Sequence, residues 1–366
     1  MIHIALTALL ALTALPILAL MGITKYHLAG ENLAKYDTPD IPVTFDPEKP
    51  SDGMADVEAW LVENFVMPAA GNSGAGQKLT EKRARFDAVG LSRENEAEFK
   101  PATARFGDVA LDGEWTLVPG ADPDRRLLYI HGGAFTVGSP QSHRAIITNI
   151  AKRTGCVVFA PDYRLMPENN RVDSFTDCKA AYRWMLDNGP DRQDPAKTVA
   201  IAGDSAGGNL CLSLLNWVKQ DALRRPDAAI ALSPTVDTTY SSPSIQTNLA
   251  TDTMLRPIAE PISKLPRSLL LWGGWKINKI SPSSPIISPI FADLSQLPPL
   301  LIQVSAAEVL YDDARRYTNK ARAQGSDVEL QSWAHMCHVW QVFDDMLPEA
   351  HHAFDEMANF LDKHNF

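Results

Sequence analysis

Residues 198–218 read TVAIAGDSAGGNLCLSLLNWV, and this segment gives the strongest indication of the fold. A short apolar run leads into GDSAG at 203–207, a G-x-S-x-G pattern, and a helix-length apolar segment follows. A strand, a tight turn and a helix in this order force the serine of such a pattern into a strained, exposed position. The glycines on either side let neighbouring backbone pack closely. Ser205 is therefore the candidate nucleophile, and the N–H of Ala206, at the helix N-terminus, points towards developing negative charge.

A second glycine turn begins at His131, 74 residues before Ser205. The motif HGGAF at 131–135 directly follows the apolar, strand-like run RLLYI at 126–130. Two consecutive glycines after a strand can turn their backbone N–H groups into a concave pocket for a negative oxygen. The motif is therefore the candidate second half of an oxyanion hole.

Apolar runs alternate with helix-length amphipathic segments along most of the chain. The runs lie at 127–130, 157–160, 199–202, 230–232 and 300–304. Strands without polar alternation are buried on both faces, so helices between them indicate an α/β fold with a parallel, doubly wound sheet. Residues 235–291, rich in Ser, Thr and Pro, interrupt this rhythm, and an insertion of that length is usually a functional lid.

Three motifs in this order resemble those of one known family: HGGAF at 131–135, DYRLMPE at 162–168 and GDSAGG at 203–208. They are similar to the hormone-sensitive-lipase-like family of α/β-hydrolases, whose bacterial members are called family IV esterases. The resemblance covers roughly residues 100–364. It implies the α/β-hydrolase fold, with a mostly parallel eight-stranded sheet, helices on both faces and a helical cap. It also implies hydrolysis of carboxylic esters by a Ser-His-acid triad.

The resemblance further implies which backbone groups form the oxyanion hole. These are the N–H groups of Gly132, Gly133 and Ala206. The family usually has HGGG at the first motif, so Ala134 departs from the pattern. Because the implied donors are backbone groups at other positions, we expect this departure to leave the hole intact.

The base follows from the order of the triad in this fold, which is serine, acid, histidine. The strand-like VELQSW at 328–333 ends just before AHMCHVW at 334–340, which puts His335 and His338 on the loop at its carboxyl end. Family members have a hydrophobic residue and an aromatic residue after the base, as in His338-Val339-Trp340. His338 is the predicted base and His335 the alternative.

The acid departs from the commonest pattern of the family, Asp-Pro-Leu-x-Asp. Here the corresponding segment is SAAEVLYDD at 305–313. Alignment of Leu310 and the aspartate that follows puts Glu308 at the acid position, 30 residues before His338. Asp312 is the alternative acid, although it should lie in the first turn of the next helix, where the helix dipole alone favours an acidic residue.

The N-terminus carries a separate apolar run. From Ile4 to Ile23 there are 20 residues without a charge, about the length needed to cross a bilayer as a helix. We expect residues 1–24 to be an N-terminal anchor or signal segment and the protein to be membrane-anchored or exported. Whether the segment is cleaved, and on which side of the membrane the protein lies, stay open. A third alternative is that the segment is neither an anchor nor a signal. The predicted domains are an N-terminal cap and lead-in at 25–105, a catalytic core at 106–234 and 292–366, and a cap insertion at 235–291.

The amino-acid composition limits the classes of partner and cofactor to be expected. The 366 residues include 34 basic and 44 acidic side chains, for a net charge of −10, and no Lys or Arg run exceeds a pair. Nucleic acid is therefore not expected as a partner. The four cysteines show no metal-binding spacing, and we expect no metal and no organic cofactor. A small-molecule ester is the expected partner, with membrane association through residues 4–23; the oligomeric state is left open.

These observations predict a serine carboxylic-ester hydrolase for short-chain or small lipophilic acyl esters. The same site would also serve a lactonase, a steryl or other acetyl-ester deacetylase, or an amidase. A non-catalytic ligand-binding protein of this fold is the alternative from another class. Such proteins lose the nucleophile or the base, whereas Ser205, His338 and a carboxylate are all present here.

Overall fold

A single twisted sheet organises the chain. The computed structural model describes residues 19–38, 42–45, 49–66, 75–91 and 96–366. Within them the strands are β1 (Val43–Phe45), β2 (Glu98–Phe106), β3 (Val109–Leu117), β4 (Asp122–Ile130), β5 (Cys156–Pro161), β6 (Thr198–Asp204), β7 (Ala228–Leu232), β8 (Leu300–Ser305) and β9 (Val328–Trp333). Their order across the sheet is β1-β9-β8-β7-β6-β4-β5-β3-β2. β2 and β3 run antiparallel to their neighbours, and the remaining pairings are parallel.

The central strands confirm the predicted α/β class. Every residue of β5, β7 and β8 is buried. Parallel strands covered by helices on both faces have this pattern. The mostly parallel sheet implied by the resemblance is therefore present.

The strand count differs from the expected eight, because the described residues form nine strands. The additional edge strand β1 pairs in parallel with β9, and Phe45 stacks on Trp333 with ring centroids 4.2 Å apart. β1 lies within 25–105, the segment predicted as cap and lead-in, and β2 begins in that segment and ends one residue beyond it. β1 is only three residues long and β2 is an edge strand of mixed exposure, so neither carries a strong alternating pattern.

Helices cover both faces of the sheet. They are α1 (Gly53–Leu61), α2 (Ala75–Leu91), α3 (Arg144–Thr154), α4 (Arg171–Asp187), α5 (Ser205–Gln220), α6 (Ser244–Thr247), α7 (Arg256–Ser263), α8 (Arg267–Asn278), α9 (Tyr311–Ala323) and α10 (Pro348–Lys363). Alternate residues of β6 point to opposite faces. Val199 and Ile201 join the core under α4, α5 and α9, whereas Ala200 and Ala202 join the core under α1, α3 and α10.

Helices α6, α7 and α8 belong to the 235–291 insertion. N-terminal residues contact α8 and the loop after it: Trp272 Nε1 donates to Thr24 Oγ1 at 2.9 Å, and the hydroxyl of Ser283 donates to the carbonyl of His27 at 2.9 Å. The N-terminal part of the chain and the insertion are therefore in direct contact.

The expectation of a membrane-anchored or exported protein is corrected. In the part of the chain that the structure describes, no helix is both long enough and apolar enough to cross a membrane. Most of the apolar run Ile4–Ile23 on which that expectation depended, up to residue 18, lies outside the described residues.

Candidate active site

The turn between β6 and α5 presents Ser205. The strand ends at Asp204 and the helix begins at Ser205, whose φ of +51° lies in the left-handed region. A Cβ at Gly207 would lie 1.9 Å from the carbonyl oxygen of Ile130, and one at Gly203 would lie 2.6 Å from that of Gly207. Both glycines are thus required by close backbone approach, which is how this local sequence holds a strained serine at the sheet edge.

His338 reaches the serine from the loop after β9. Its Nε2 lies 2.9 Å from Ser205 Oγ, and the side chain is 3% exposed. Burial alone would lower the pKa of His338, but the carboxylate of Glu308 outweighs it and raises the pKa above its ordinary value. The imidazole is therefore a stronger base than a free histidine. The alternative, His335, is exposed and adopts a φ of +63°.

Glu308 lies on the loop after β8 and orients the imidazole. One carboxylate oxygen contacts His338 Nδ1 in a short hydrogen bond. The other accepts from the Ser233 hydroxyl at 2.7 Å and from the Ser305 N–H at 2.9 Å. The side chain is completely buried, so these donors replace the water it has lost.

The alternative acid, Asp312, is engaged elsewhere. One carboxylate oxygen accepts from the N–H of Ser244 at 2.9 Å, and the other accepts two hydrogen bonds from the Arg315 guanidinium at 2.9 and 2.6 Å. The structure therefore brings Ser205, His338 and Glu308 together and leaves Asp312 in the first turn of α9.

The glycine turn after β4 lies beside the serine, and it differs from the expectation at Gly132. The N–H of Gly132 donates to Asp204 Oδ1 at 3.0 Å, and a Cβ there would lie 2.1 Å from Asp204 Oδ2. That N–H is therefore committed to a buried carboxylate. The next two residues, Gly133 and Ala134, have φ of +113° and +52° and line the space around Ser205.

Comparisons with known proteins agree with this fold. A family model described as alpha/beta hydrolase fold matches residues 127–342. An acetyl-hydrolase of Streptomyces hygroscopicus is 35% identical over 264 residues, which are 70% of this chain and 82% of the relative. A crystal structure of an esterase from the bacterial hormone-sensitive lipase family has 32% sequence identity and a TM-score of 0.72, covering 86% of this chain and 99% of the other.

The chain belongs to the hormone-sensitive-lipase-like family of α/β-hydrolases. Another relative, an esterase of Acinetobacter venetianus, is 34% identical over 243 residues, which are 66% of this chain and 75% of the relative. The fold and family predicted from the motifs are confirmed, and the protein is a carboxylic ester hydrolase.

Sequence reasoning missed two side chains of this α/β-hydrolase that bond to the loop after β8, which carries Glu308. Ser233, directly after β7, bonds Glu308. Asp252, in the cap insertion, accepts from the N–H of Val309 at 2.8 Å and from that of Leu255 at 2.7 Å. Neither residue lies in a recognisable motif, since each acts through a contact between distant parts of the chain.

Two further residues of this hydrolase contact Asp204, the carboxylate that binds the glycine turn after β4. The hydroxyl of Tyr129 donates to Asp204 Oδ1 at 2.8 Å, and His143 Nε2 lies 3.4 Å from Oδ2. Burial would raise the pKa of Asp204, but His143 and the Tyr129 hydroxyl outweigh it and hold the pKa below its ordinary value. The charged carboxylate is thus stable beneath Gly132. The aspartate of GDSAG is the sequence signal that could have identified this brace.

Two cavities meet at Ser205 in this hydrolase. The smaller, of about 130 Å³, is also lined by His338. The larger, of about 590 Å³, extends under α7 and α8. Leu255 and Ile258 of the cap line both, so the insertion forms the roof over the serine. Among the residues described, no group of three or more His, Cys, Asp or Glu side chains is arranged to hold a metal ion.

Proposed function

We propose that this chain hydrolyses short-chain or small lipophilic acyl esters with a catalytic triad of Ser205, His338 and Glu308. One observation carries the proposal: a continuous hydrogen-bonded chain runs from the serine hydroxyl through both imidazole nitrogens to the glutamate. A serine hydroxyl is a weak nucleophile until an adjacent base takes its proton, and the base needs an acid that orients it.

In the first half-reaction, His338 Nε2 takes the proton of Ser205 as the hydroxyl oxygen attacks the ester carbonyl carbon. The carbonyl oxygen becomes an oxyanion, for which we assign the N–H groups of Gly133, Ala134 and Ala206 as donors. Backbone donors already oriented towards such an oxygen stabilise it without reorganisation. We replace Gly132 by Ala134 in this set because the N–H of Gly132 donates to Asp204.

The first half-reaction ends when the alcohol departs with the proton from His338 and the acyl group stays bound to Ser205 Oγ as an ester. In the second half-reaction, the acyl group leaves the serine. His338 Nε2 then deprotonates a water molecule that attacks this ester, and the acid leaves as the serine regains its proton. Glu308 stabilises the imidazolium in both halves.

The cavities support small, apolar substrates. The roof side chains Leu255 and Ile258 are aliphatic, and the smaller cavity of about 130 Å³ has room for only a compact group. The relative named acetyl-hydrolase supports acetyl esters among these substrates. With this assignment, residues 106–234 and 292–366 carry the chemistry, and 235–291 with parts of 25–105 cover it.

The decisive experiment is hydrolysis of p-nitrophenyl acetate and butyrate by the full chain and by Ser205→Ala. We expect turnover by the wild type and a fall in kcat on the order of 10⁵- to 10⁶-fold in the variant. A fluorophosphonate probe should label only the wild type, because labelling requires the nucleophile.

The matched control is Ser213→Ala, which removes another serine hydroxyl from the same helix, α5. Its turnover should equal that of the wild type. Turnover retained by Ser205→Ala would refute the triad. Absence of turnover by a folded wild type, with any ester in the panel, would favour the ligand-binding alternative.

A further inference from the structure

Arg171 is a buried cation in the wall of the larger cavity. It is the first residue of α4, where a capping box between Asn170 and Asp173 fixes the helix start. The side chain is only 5% exposed, and it lines the same cavity as Ser205. A charged side chain almost never occupies such a position without partners.

The hydrogen bonds of Arg171 are incomplete. One terminal nitrogen donates to Asn209 Oδ1 and to the carbonyl of Ile287, both at 2.8 Å. The guanidinium lies over the ring of Phe135, 4.0 Å from its centroid. Nε is buried and has no hydrogen-bond partner, and no ion pair joins the group to any carboxylate of the described residues. The group therefore has an unused N–H donor, and its positive charge is not neutralised.

The guanidinium keeps its charge at neutral pH. Burial lowers the pKa of Arg171 to about 10, which is still well above 7. An unpaired buried donor is energetically costly, and more so when it is charged. A ligand that supplies an acceptor oxygen would recover this free energy.

The two carboxylates of the same wall do not serve as that acceptor. Asp313 accepts from the N–H groups of Val236 and Asp237 at 2.8 and 3.0 Å. Asp237 accepts from the N–H of Thr239 at 2.8 Å and from that of Ser241 at 3.1 Å. Asp237 belongs to the loop that follows β7 and Asp313 to the first turn of α9, and both bond to the backbone of that loop.

The position of His338 indicates which part of an ester faces Arg171. The departing alcohol takes its proton from His338 Nε2, so the alcohol must lie on the side of Ser205 where the imidazole is. His338 lines the smaller cavity, whereas the wall of the larger one includes Arg171 and Ala206. The acyl chain therefore extends into the larger cavity.

We propose that Arg171 is a specificity-determining residue that donates a hydrogen bond to an acceptor oxygen on the acyl chain. The preferred substrates are then esters of short oxo acids or of dicarboxylic acids, which share an sp² oxygen beyond the reacting carbonyl. This inference rests on the proposed esterase function and adds the substrate class.

The test compares p-nitrophenyl 4-oxopentanoate, 5-oxohexanoate and 6-oxoheptanoate with analogues in which a methylidene group replaces the ketone. The matching half-esters of dicarboxylic acids form a second arm, corrected for their uncatalysed hydrolysis, and show whether a neutral or a charged oxygen is preferred. For at least one chain length we expect kcat/KM of the acceptor ester to exceed that of its analogue roughly tenfold or more.

Variants assign this preference to Arg171. In Arg171→Met the ratio should fall to about 1, because the donor is absent, and Arg171→Lys should restore part of it. Arg316→Met is the matched control, since Arg316 is also buried but is paired with Asp37 and lies outside the cavity wall. Its ratio should equal that of the wild type.

Plain butyrate turnover separates the two proposals. Butyrate hydrolysis with a wild-type ratio of 1 at every chain length, in both arms, overturns the role of Arg171 but not the esterase. A ratio unchanged in folded Arg171→Met also overturns it. If that variant does not fold, the wild-type ratios decide. Absence of butyrate hydrolysis by the wild type would instead contradict the proposed function.

Discussion

The catalytic floor and the cap of this molecule are built in opposite ways. The floor consists of the turn after β6 and the loops after β8 and β9, which carry Ser205, Glu308 and His338. There, backbone atoms approach too closely for even a methyl group beside the serine, and each polar side chain is bonded. The cap helices α7 and α8 instead expose large apolar side chains: Ile258 is 49% exposed and Ile277 is 61% exposed.

This difference indicates which region of the fold tolerates substitutions. α7 has only eight residues and includes Pro261, which removes one backbone donor from the helix. Such an element has little intrinsic stability and depends on its packing. On the proposed function, the floor determines whether ester chemistry occurs, and the cap together with Arg171 determines which ester fits. The following substitutions test this division, beginning with the largest expected effect.

The same substitution, glycine to alanine, should have opposite effects in the two regions. Gly207→Ala places a Cβ 1.9 Å from the carbonyl oxygen of Ile130, so we expect a loss of more than about 3 kcal/mol in the free energy of unfolding and no detectable esterase. Gly273→Ala in α8 meets no atom within 4 Å and should increase stability by about 0.5–1 kcal/mol. Urea denaturation of both variants measures this. Equal stability of the two would refute the contrast.

Glu308→Gln should lower kcat by about 10³- to 10⁴-fold, because the imidazolium loses its stabilising charge. It should also move the pH profile. The neutral imidazole is the active form, so activity rises with pH through the pKa of His338, which Glu308 raises above 6.5. Without that charge the pKa of His338 falls, so the acid limb of kcat/KM should move to lower pH.

The control for this prediction is Asp312→Asn. Asp312 bonds Ser244 and Arg315 rather than His338, so the acid limb should stay at its wild-type position. A profile between pH 5 and 9 for each variant provides the comparison. A shifted limb in Asp312→Asn with an unchanged limb in Glu308→Gln would reverse the assignment of the acid.

The smallest effect is expected for the roof. Ile258→Ala truncates a half-exposed side chain that lines both cavities, so KM for p-nitrophenyl butyrate should rise about three- to tenfold with little change in kcat for acetate. The matching change in the core, Ile302→Ala in the fully buried strand β8, should cost about 2–5 kcal/mol of stability. Comparable stability losses in both variants would show that the cap is as tightly packed as the core.

Prediction from the sequence succeeded where the signal is local. The GDSAG motif between an apolar run and a helical segment specified the turn at Ser205, since strand, glycines and helix are adjacent in the chain. The alternation of apolar runs with helix-length segments indicated the parallel sheet. Prediction from the sequence failed for β1, because three residues carry too little pattern to distinguish a strand from a loop.

Long-range contacts account for the remaining differences. Both Glu308 and Asp312 follow β8 closely, and only the donors Ser233 and Ser305 show which carboxylate faces the imidazole. The commitment of the Gly132 N–H to a buried carboxylate likewise depends on a residue 72 positions later in the chain.

The fold class, the family and the candidate nucleophile follow from the sequence, because they depend on residues that are neighbours in the chain. Only the tertiary structure shows the contact between Glu308 and His338, the commitment of the Gly132 N–H to Asp204, and the incomplete hydrogen bonding of Arg171 in the cavity beside the serine. Each of these depends on side chains brought together from separate strands and helices. Hydrogen bonding and burial there are properties of the packed chain, and local sequence does not encode them.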